Sequence, residues 1–208
     1  MKVLLLNGSP RQTGCTYTAL TEIAKELEAN GVQTELLQIG SKQYMGCMAC
    51  RACKKTGVCA FGEADGLNAI AAKCAEADGF IFGSPVYYAG ANGNFISFLN
   101  RLFFSCGKNL AHKPAAAIAS ARRAGTTATL DELNKFFSIN QMPIVSSTYW
   151  NMVHGSCAQD VQQDLEGLQT MRNLGKNMAW LLKCIEAGRA AGIQVPAADS
   201  GAHTNFIR

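Results

Sequence analysis

Short apolar segments alternate with helical patterns along most of this 208-residue chain. The apolar segments have the length of buried strands and cover residues 2–7, 32–39, 79–83, 114–120 and 143–149. Apolar residues recur at helical spacing in segments that follow them, near 16–31, 64–77, 92–103, 127–137 and 160–187. Such alternation is typical of parallel strands joined by right-handed crossovers. The sequence therefore predicts an α/β fold, a three-layer sandwich around a five-stranded parallel sheet.

The chain is long enough for one substantial core and short for two. With 48% hydrophobic residues and no stretch that resembles a linker, residues 1–208 are expected to form a single domain. A cysteine-rich loop over 44–63 and a C-terminal tail over 188–208 stand outside the alternation. Because Phe206 and Ile207 would be unusual in water, we expect the tail to dock on a partner subunit.

Charge and cysteine content limit the possible partners and the compartment. The formal net charge of +4 is spread along the chain, so nucleic acid is not expected as a partner. The apolar run from Val3 to Leu6 is too short for a signal-peptide core or a membrane span, which predicts a cytoplasmic protein with no membrane partner. Thiols stay reduced in that compartment, so nine cysteines indicate metal binding, catalysis or burial rather than a disulfide scaffold.

A polar, glycine-containing turn over residues 8–16 follows the first predicted strand. In open α/β sheets, ligands bind beyond the carboxyl ends of the strands, and the first turn commonly meets a phosphate group. The turn lacks the Gly-Lys-Ser/Thr of a nucleoside-triphosphate loop and the Gly-x-Gly-x-x-Gly of a dinucleotide site. A terminal monophosphate, such as that of flavin mononucleotide (FMN), suits its hydroxyls and amides better, although the turn could also be a solvated connection. Polar turns over 84–90 and 120–125 would line the same crevice.

The four cysteines of the loop have the spacing Cys-x2-Cys-x2-Cys-x5-Cys, formed by Cys47, Cys50, Cys53 and Cys59. Two-residue spacers allow a tight turn to present three sulfur atoms to one side, as an iron–sulfur cluster requires. Structural zinc usually takes two separate Cys-x2-Cys pairs, which makes it the less suitable metal. A 4Fe–4S cluster, zinc and four free thiols remain the alternatives at this point.

The segments Gly8-Ser-Pro-Arg11 and Gly83-Ser-Pro-Val-Tyr87, with a glycine-containing loop after the fourth strand, resemble the flavodoxin-like NADPH-dependent FMN reductase family. The cysteine run is similar to that of the iron–sulfur flavoproteins within this family. The resemblance implies a phosphate site formed by Ser9, Arg11, Cys15 and Thr16. It implies that the ring and ribityl chain are bordered by Pro85, Val86, Tyr87 and Tyr88. It places the pyrimidine edge near Ser120, Arg122, Arg123 and Gly125, and it implies a homodimer or homotetramer.

The resemblance also implies an activity. We expect an FMN-dependent oxidoreductase that takes a hydride from NADH or NADPH onto flavin N5 and passes electrons to a quinone, free flavin or another small acceptor. The flavin would carry the chemistry, so no side chain is predicted to be catalytic. If the four cysteines hold a 4Fe–4S cluster, the protein would instead be an electron carrier with a ferredoxin-like partner. A non-enzymatic redox or metal sensor is the third hypothesis.

Overall fold

The computed structural model describes residues 1–204 and 206. Its strands are β1 (Lys2–Asn7), β2 (Gln33–Gln38), β3 (Gly79–Tyr87), β4 (Gly90–Ala91), β5 (Ala115–Ala121) and β6 (Met152–His154). Its helices are α1 (Cys15–Ala29), α2 (Ala52–Thr56), α3 (Gly62–Asp65), α4 (Leu67–Glu76), α5 (Gly93–Cys106), α6 (Thr126–Ile139), α7 (Ala158–Gln163) and α8 (Leu165–Ala190). Every helix in this part of the chain is too short or too polar to span a lipid bilayer.

Five strands form a parallel sheet in the order β2-β1-β3-β5-β6, which confirms the predicted five-stranded parallel sheet. The short β4 pairs antiparallel with the end of β3. The chain passes from β1 to β2 on one side and then places β3 on the other side of β1. The order of strands therefore reverses between β1 and β3, and a crevice opens there at the carboxyl ends of the strands.

Alternating side chains of the strands build two apolar layers. Val3 and Leu5 pack with α1 and α8, whereas Leu4 and Leu6 pack with α4, α5 and α6. Phe82 lies in the second layer, and its ring centroid is 5.0 Å from that of Phe137. Because successive residues of a strand point to opposite faces, a strand buried on both faces needs apolar residues throughout. The predicted three-layer sandwich is confirmed.

The predicted fifth strand, 143–149, is wrong. Within that segment only an isolated bridge between Ile144 and Ala115 joins the sheet. The chain then leaves the sheet because the Ser147 hydroxyl donates to the Thr170 carbonyl of α8 at 2.7 Å. It returns as β6, which is only three residues long. The loop that follows the fifth parallel strand therefore begins at Gly155, not at Trp150.

The third strand is longer than the predicted 79–83, because it continues through Ser84 and Pro85 to Tyr87. Gly83 is the last residue that pairs with β1, so β3 is bonded to a parallel neighbour on one side only beyond that point. Proline is tolerated where one side of a strand is unpaired. Pro85 thus carries the strand outward, above the end of β1.

Two of the predicted helices are each divided into two in the structure. Gly66, with φ of 79°, separates α3 from α4, and Asp164 separates α7 from α8. The predicted tail over 188–208 begins later than expected, because α8 continues to Ala190. Phe206 is 91% exposed. The tail residues Asn205, Ile207 and Arg208 lie outside the described residues, and docking of the tail on a partner subunit stays a prediction.

Candidate functional site

A cavity of about 220 Å³, here called the strand-end cavity, opens at the carboxyl ends of β1, β3 and β5. It brings together nine of the twelve residues that the sequence placed around a flavin. They are Ser9, Arg11, Cys15, Thr16, Pro85, Val86, Tyr87, Ser120 and Arg122. These residues come from three segments that are far apart in sequence, at the ends of β1, β3 and β5, so the order of the strands is what assembles them.

One end of the strand-end cavity is rich in hydrogen-bond donors. Helix α1 begins there without a side-chain cap and without an acidic residue in its first turn, so its first N–H groups have no partner within the helix. The Thr16 and Ser120 hydroxyl oxygens lie 2.8 Å apart, which joins the start of α1 to the end of β5. Free N–H groups and the helix dipole favour an anion at such a position.

The polar turn after β1, over residues 8–16, is held in place by the buried Asn7. Its side-chain oxygen accepts from the Ser9 N–H at 3.0 Å, and its amide donates to the Gln38 side chain at 2.7 Å. The Ser9 hydroxyl in turn accepts from the Arg11 N–H at 3.1 Å. These contacts fix the backbone of the turn, so that the Arg11 side chain projects from a rigid base.

Cys15 and Arg11 both reach the loop that follows β6. The Cys15 thiol donates to the Gly155 carbonyl at 3.4 Å, and the Arg11 guanidinium donates to the Ser156 carbonyl at 3.5 Å. Burial raises the pKa of the Cys15 thiol, and the nearby Cys157 adds to the increase. A protonated thiol can stand beside an anion without repulsion, so Cys15 suits a phosphate site as a neutral neighbour.

Another part of the cavity wall is formed by Pro85 to Tyr87 at the end of β3, just before the turn to β4. Tyr88 and Ala89 have φ of 51° and 60°, values that a two-residue hairpin turn requires and that side chains other than glycine adopt rarely. Gly125 allows the loop after β5 to approach this turn. A methyl group on Gly125 would lie 2.8 Å from the Val86 side chain and 2.7 Å from the Ala89 backbone.

Three of the predicted flavin-site residues are not part of the cavity wall. Tyr88 is fully exposed, Arg123 is exposed on the loop after β5, and Gly125 shapes the cavity only by its close approach. Gly155 and Ser156 do line the cavity but were missed. They could have been predicted if 152–154 had been recognised as the fifth strand. The polar turn after that strand would then have joined the turns after β1, β3 and β5 at the same edge of the sheet.

The four cysteines of the loop line a second cavity of about 240 Å³, here called the cysteine cavity. Cys47 and Cys50 are exposed, whereas Cys53 and Cys59 are half-buried. Arg51 and Lys54 also line this cavity, together with the buried Arg101 of α5, which the sequence analysis did not predict. No sequence signal marks Arg101 as buried, because a charged residue of an amphipathic helix ordinarily faces water. Among the described residues, none lines both cavities.

The arrangement of the thiols matches an iron–sulfur cluster in its donor set. Four thiols that face one cavity supply the ligands that such clusters take. Across residues 1–204 and 206, however, no three Cys, His, Asp or Glu side chains converge as a metal site requires. The loop before α2 has no regular structure, so a cluster would have to draw the four sulfur atoms closer together by a movement of this loop.

Comparison with known proteins agrees with the geometry. The model of the family described as NADPH-dependent FMN reductase matches residues 1–156. An iron–sulfur flavoprotein of Methanocaldococcus jannaschii is 32% identical over 194 residues, an alignment that covers 89% of this chain and 100% of the relative.

Solved structures resemble the chain in fold. An NADH:FMN oxidoreductase in its apo form superposes with a TM-score of 0.62 at 18% identity, covering 86% of this chain and 89% of its own. A flavodoxin from the domain Archaea superposes with a TM-score of 0.60 at 14% identity, covering 88% of this chain and 99% of its own. The predicted flavodoxin-like fold is confirmed by these similarities.

Proposed function

Because the chain belongs to the NADPH-dependent FMN reductase family, in its iron–sulfur flavoprotein subgroup, we propose that its strand-end cavity binds FMN and its cysteine cavity binds a 4Fe–4S cluster. The chain is an FMN-dependent oxidoreductase. One observation supports the flavin site above all others: hydroxyl groups, a guanidinium and an uncapped helix N-terminus from separate loops meet at the strand ends.

FMN, when bound, supplies the redox chemistry, since its ring accepts a hydride and releases electrons. The side chains of Ser9, Arg11 and Thr16 hold its phosphate, with the N–H groups of the first turn of α1. Charge-assisted hydrogen bonds of this kind are stronger than those between neutral groups. Ser120 holds the Thr16 hydroxyl in place, and the neutral Cys15 thiol adds no negative charge beside the phosphate.

Pro85, Val86 and Tyr87 border the ring, because β3 extends past the end of β1 and carries them over the crevice. Arg122 lines the same cavity and would offer positive charge to the pyrimidine edge. A positive charge at that edge would favour reduction of a bound flavin. In this assignment the cavity binds the cofactor, orients it and sets its potential.

A 4Fe–4S cluster, when bound, transfers single electrons. Cys47, Cys50, Cys53 and Cys59 would hold it, at the wall of a cavity separate from that of the flavin. The family description favours NADPH or NADH as the electron donor. A cluster in the cysteine cavity would allow a second candidate function, in which a ferredoxin-like protein exchanges electrons with it. In either case we propose that a small molecule is the final acceptor.

Anaerobic purification tests these assignments. We expect a yellow-brown protein with one FMN per chain, four iron atoms and four sulfide ions per cysteine loop. If the protein as isolated oxidises NADPH or NADH when a quinone is added, a nicotinamide is the donor. If it accepts electrons only from a reduced ferredoxin, the carrier function is correct. Iron without flavin would contradict the proposal and support a redox or metal sensor.

A cysteine variant separates the two cavities in this experiment. Cys50 is exposed, so its replacement by serine does not disturb the core. We expect Cys50→Ser to lose iron and sulfide and to keep its FMN, because Cys50 does not line the strand-end cavity. Replacement of the equally exposed Cys184 by serine is the matched control, and it should keep both groups.

A further inference from the structure

A buried arginine stands behind the cysteine cavity. Arg101 of α5 is only 2% exposed, and its guanidinium forms an ion pair with Asp65 at the end of α3. The Nε and Nη2 atoms of Arg101 each lie 3.4 Å from Sγ of Cys59. The planar guanidinium therefore directs two N–H groups at one of the four loop sulfur atoms.

The ion pair with Asp65 explains why Arg101 can be buried, but it does not explain the contact with Cys59. A buried charge must be paired, and one carboxylate meets that need. The contact with sulfur is an additional interaction, made by Nε, which Asp65 does not contact, and by Nη2, which also lies 3.4 Å from the Asp65 carboxylate.

Cys59 is anchored to α4 through its backbone. Its backbone N–H donates to the Asn68 side chain at 3.1 Å, and its carbonyl accepts from the same side chain at 3.0 Å. Asn68 lies on α4, which packs against α5, so Cys59 and Arg101 are fixed to the same rigid layer. The contact between them would therefore persist if the rest of the loop moved.

We propose that Arg101 raises the reduction potential of a 4Fe–4S cluster bound through Cys59, by donating two hydrogen bonds to its sulfur and by placing a buried positive charge beside it. This inference rests on the proposed cluster. Reduction adds one electron, and hence one negative charge, to the cluster. A positive charge in a site shielded from water stabilises that charge, and hydrogen bonds to the sulfur atoms withdraw electron density from the metal. Arg101 is thus a positioning residue that sets the potential.

The test is a potentiometric titration of the anaerobically purified, cluster-loaded protein, followed by electron paramagnetic resonance. We expect Arg101→Met to change the equilibrium constant for one-electron reduction by about tenfold, a shift of about 59 mV toward more negative potential. Arg101→Lys keeps the charge and loses the planar pair of donors, so its potential should lie between those of the wild type and Arg101→Met.

Arg51→Met is the matched control, since Arg51 lines the same cavity but is exposed. Water screens its charge, so its removal should shift the potential less than the removal of Arg101. If Arg101→Met does not fold because Asp65 loses its partner, the double variant Arg101→Met/Asp65→Asn removes both charges. The double variant should still titrate at a more negative potential than the wild type, because the donors to Cys59 are gone.

The outcomes separate the inference from the proposed function. A wild type that lacks iron and sulfide contradicts the proposed cluster, and the inference falls with it. A loaded wild type whose potential is unchanged in Arg101→Met, or shifts no more than in Arg51→Met, overturns the inference alone. A double variant whose potential equals that of the wild type also overturns the inference alone.

Discussion

Replacement of Arg11 by glutamine tests the polar end of the strand-end cavity. The Arg11 side chain makes one long contact with the protein, 3.5 Å to the Ser156 carbonyl, and it is exposed. The backbone N–H that donates to the Ser9 hydroxyl is kept in the variant. Arg11→Gln should therefore fold normally, and any loss of FMN binding reports on the contact with the ligand.

The size of the loss follows from the charge of the guanidinium. A hydrogen bond to a charged group contributes about 1.5–3 kcal/mol. Since about 1.4 kcal/mol corresponds to a tenfold change in affinity, Arg11→Gln should weaken FMN binding by about 10- to 150-fold. Riboflavin lacks the phosphate, so its affinity should be the same for the wild type and the variant.

Quenching of flavin fluorescence, with FMN and with riboflavin, measures both affinities on the flavin-free protein. Arg123→Gln is the control, because Arg123 is exposed and does not line the cavity. An equal loss of affinity for FMN and riboflavin in Arg11→Gln would refute the assignment of the phosphate to this end. So would an Arg123→Gln variant that loses as much affinity for FMN.

Three further predictions concern the core, the thiols and the response to pH. Phe82→Ala should lower the free energy of unfolding in urea by about 3–5 kcal/mol, because it empties a fully buried site between aromatic rings; a loss below about 1 kcal/mol would contradict this. Burial raises the pKa of Cys74 to about 12 and that of Cys106 to about 11. Iodoacetamide at about pH 8 should therefore leave both thiols unlabelled in the native protein, while the exposed cysteines react. Mass spectrometry of the labelled protein checks this. The hydrogen bond from the Ser156 N–H lowers the pKa of Asp160 in the folded protein. The ionised carboxylate therefore contributes its full stabilisation above the pKa of an unfolded aspartate, about 3.9. That stabilisation is lost as the pH falls through the lower pKa of the folded protein. Thermal stability should therefore decline less steeply in acid for Asp160→Asn than for the wild type, and identical declines would contradict this.

The layers of the fold were predictable because they depend on periodicity. The apolar runs of β1, β3 and β5 are buried on both faces, and no other arrangement buries them as well as a central parallel sheet. The fifth strand was not predictable in the same way. Residues 143–149 have the composition of a strand, but contacts of Ser146 and Ser147 with α8 draw the chain out of the sheet. Such contacts between distant residues leave no local pattern.

The flavin-site residues differ in how far sequence could locate them. Ser9 lies two residues after the first predicted strand and Ser120 ends the fourth, so that a strand-end position was evident from the pattern. Gly155 was not predicted, because the fifth strand was expected at 143–149 and lies at 152–154. Arg101 could not be predicted at all, because its role depends on burial and on the meeting of α5 with α3 and Cys59. In sequence it is one more polar residue of an amphipathic helix, next to Asn100.

A crystal structure of the FMN-saturated protein is the most direct test of the strand-end cavity as the flavin site. We predict electron density for the phosphate between the N-terminus of α1 and the Arg11 side chain, with the ring beside Pro85 and Tyr87. A flavin found in the cysteine cavity, or bound with its phosphate away from α1, would contradict the assignment.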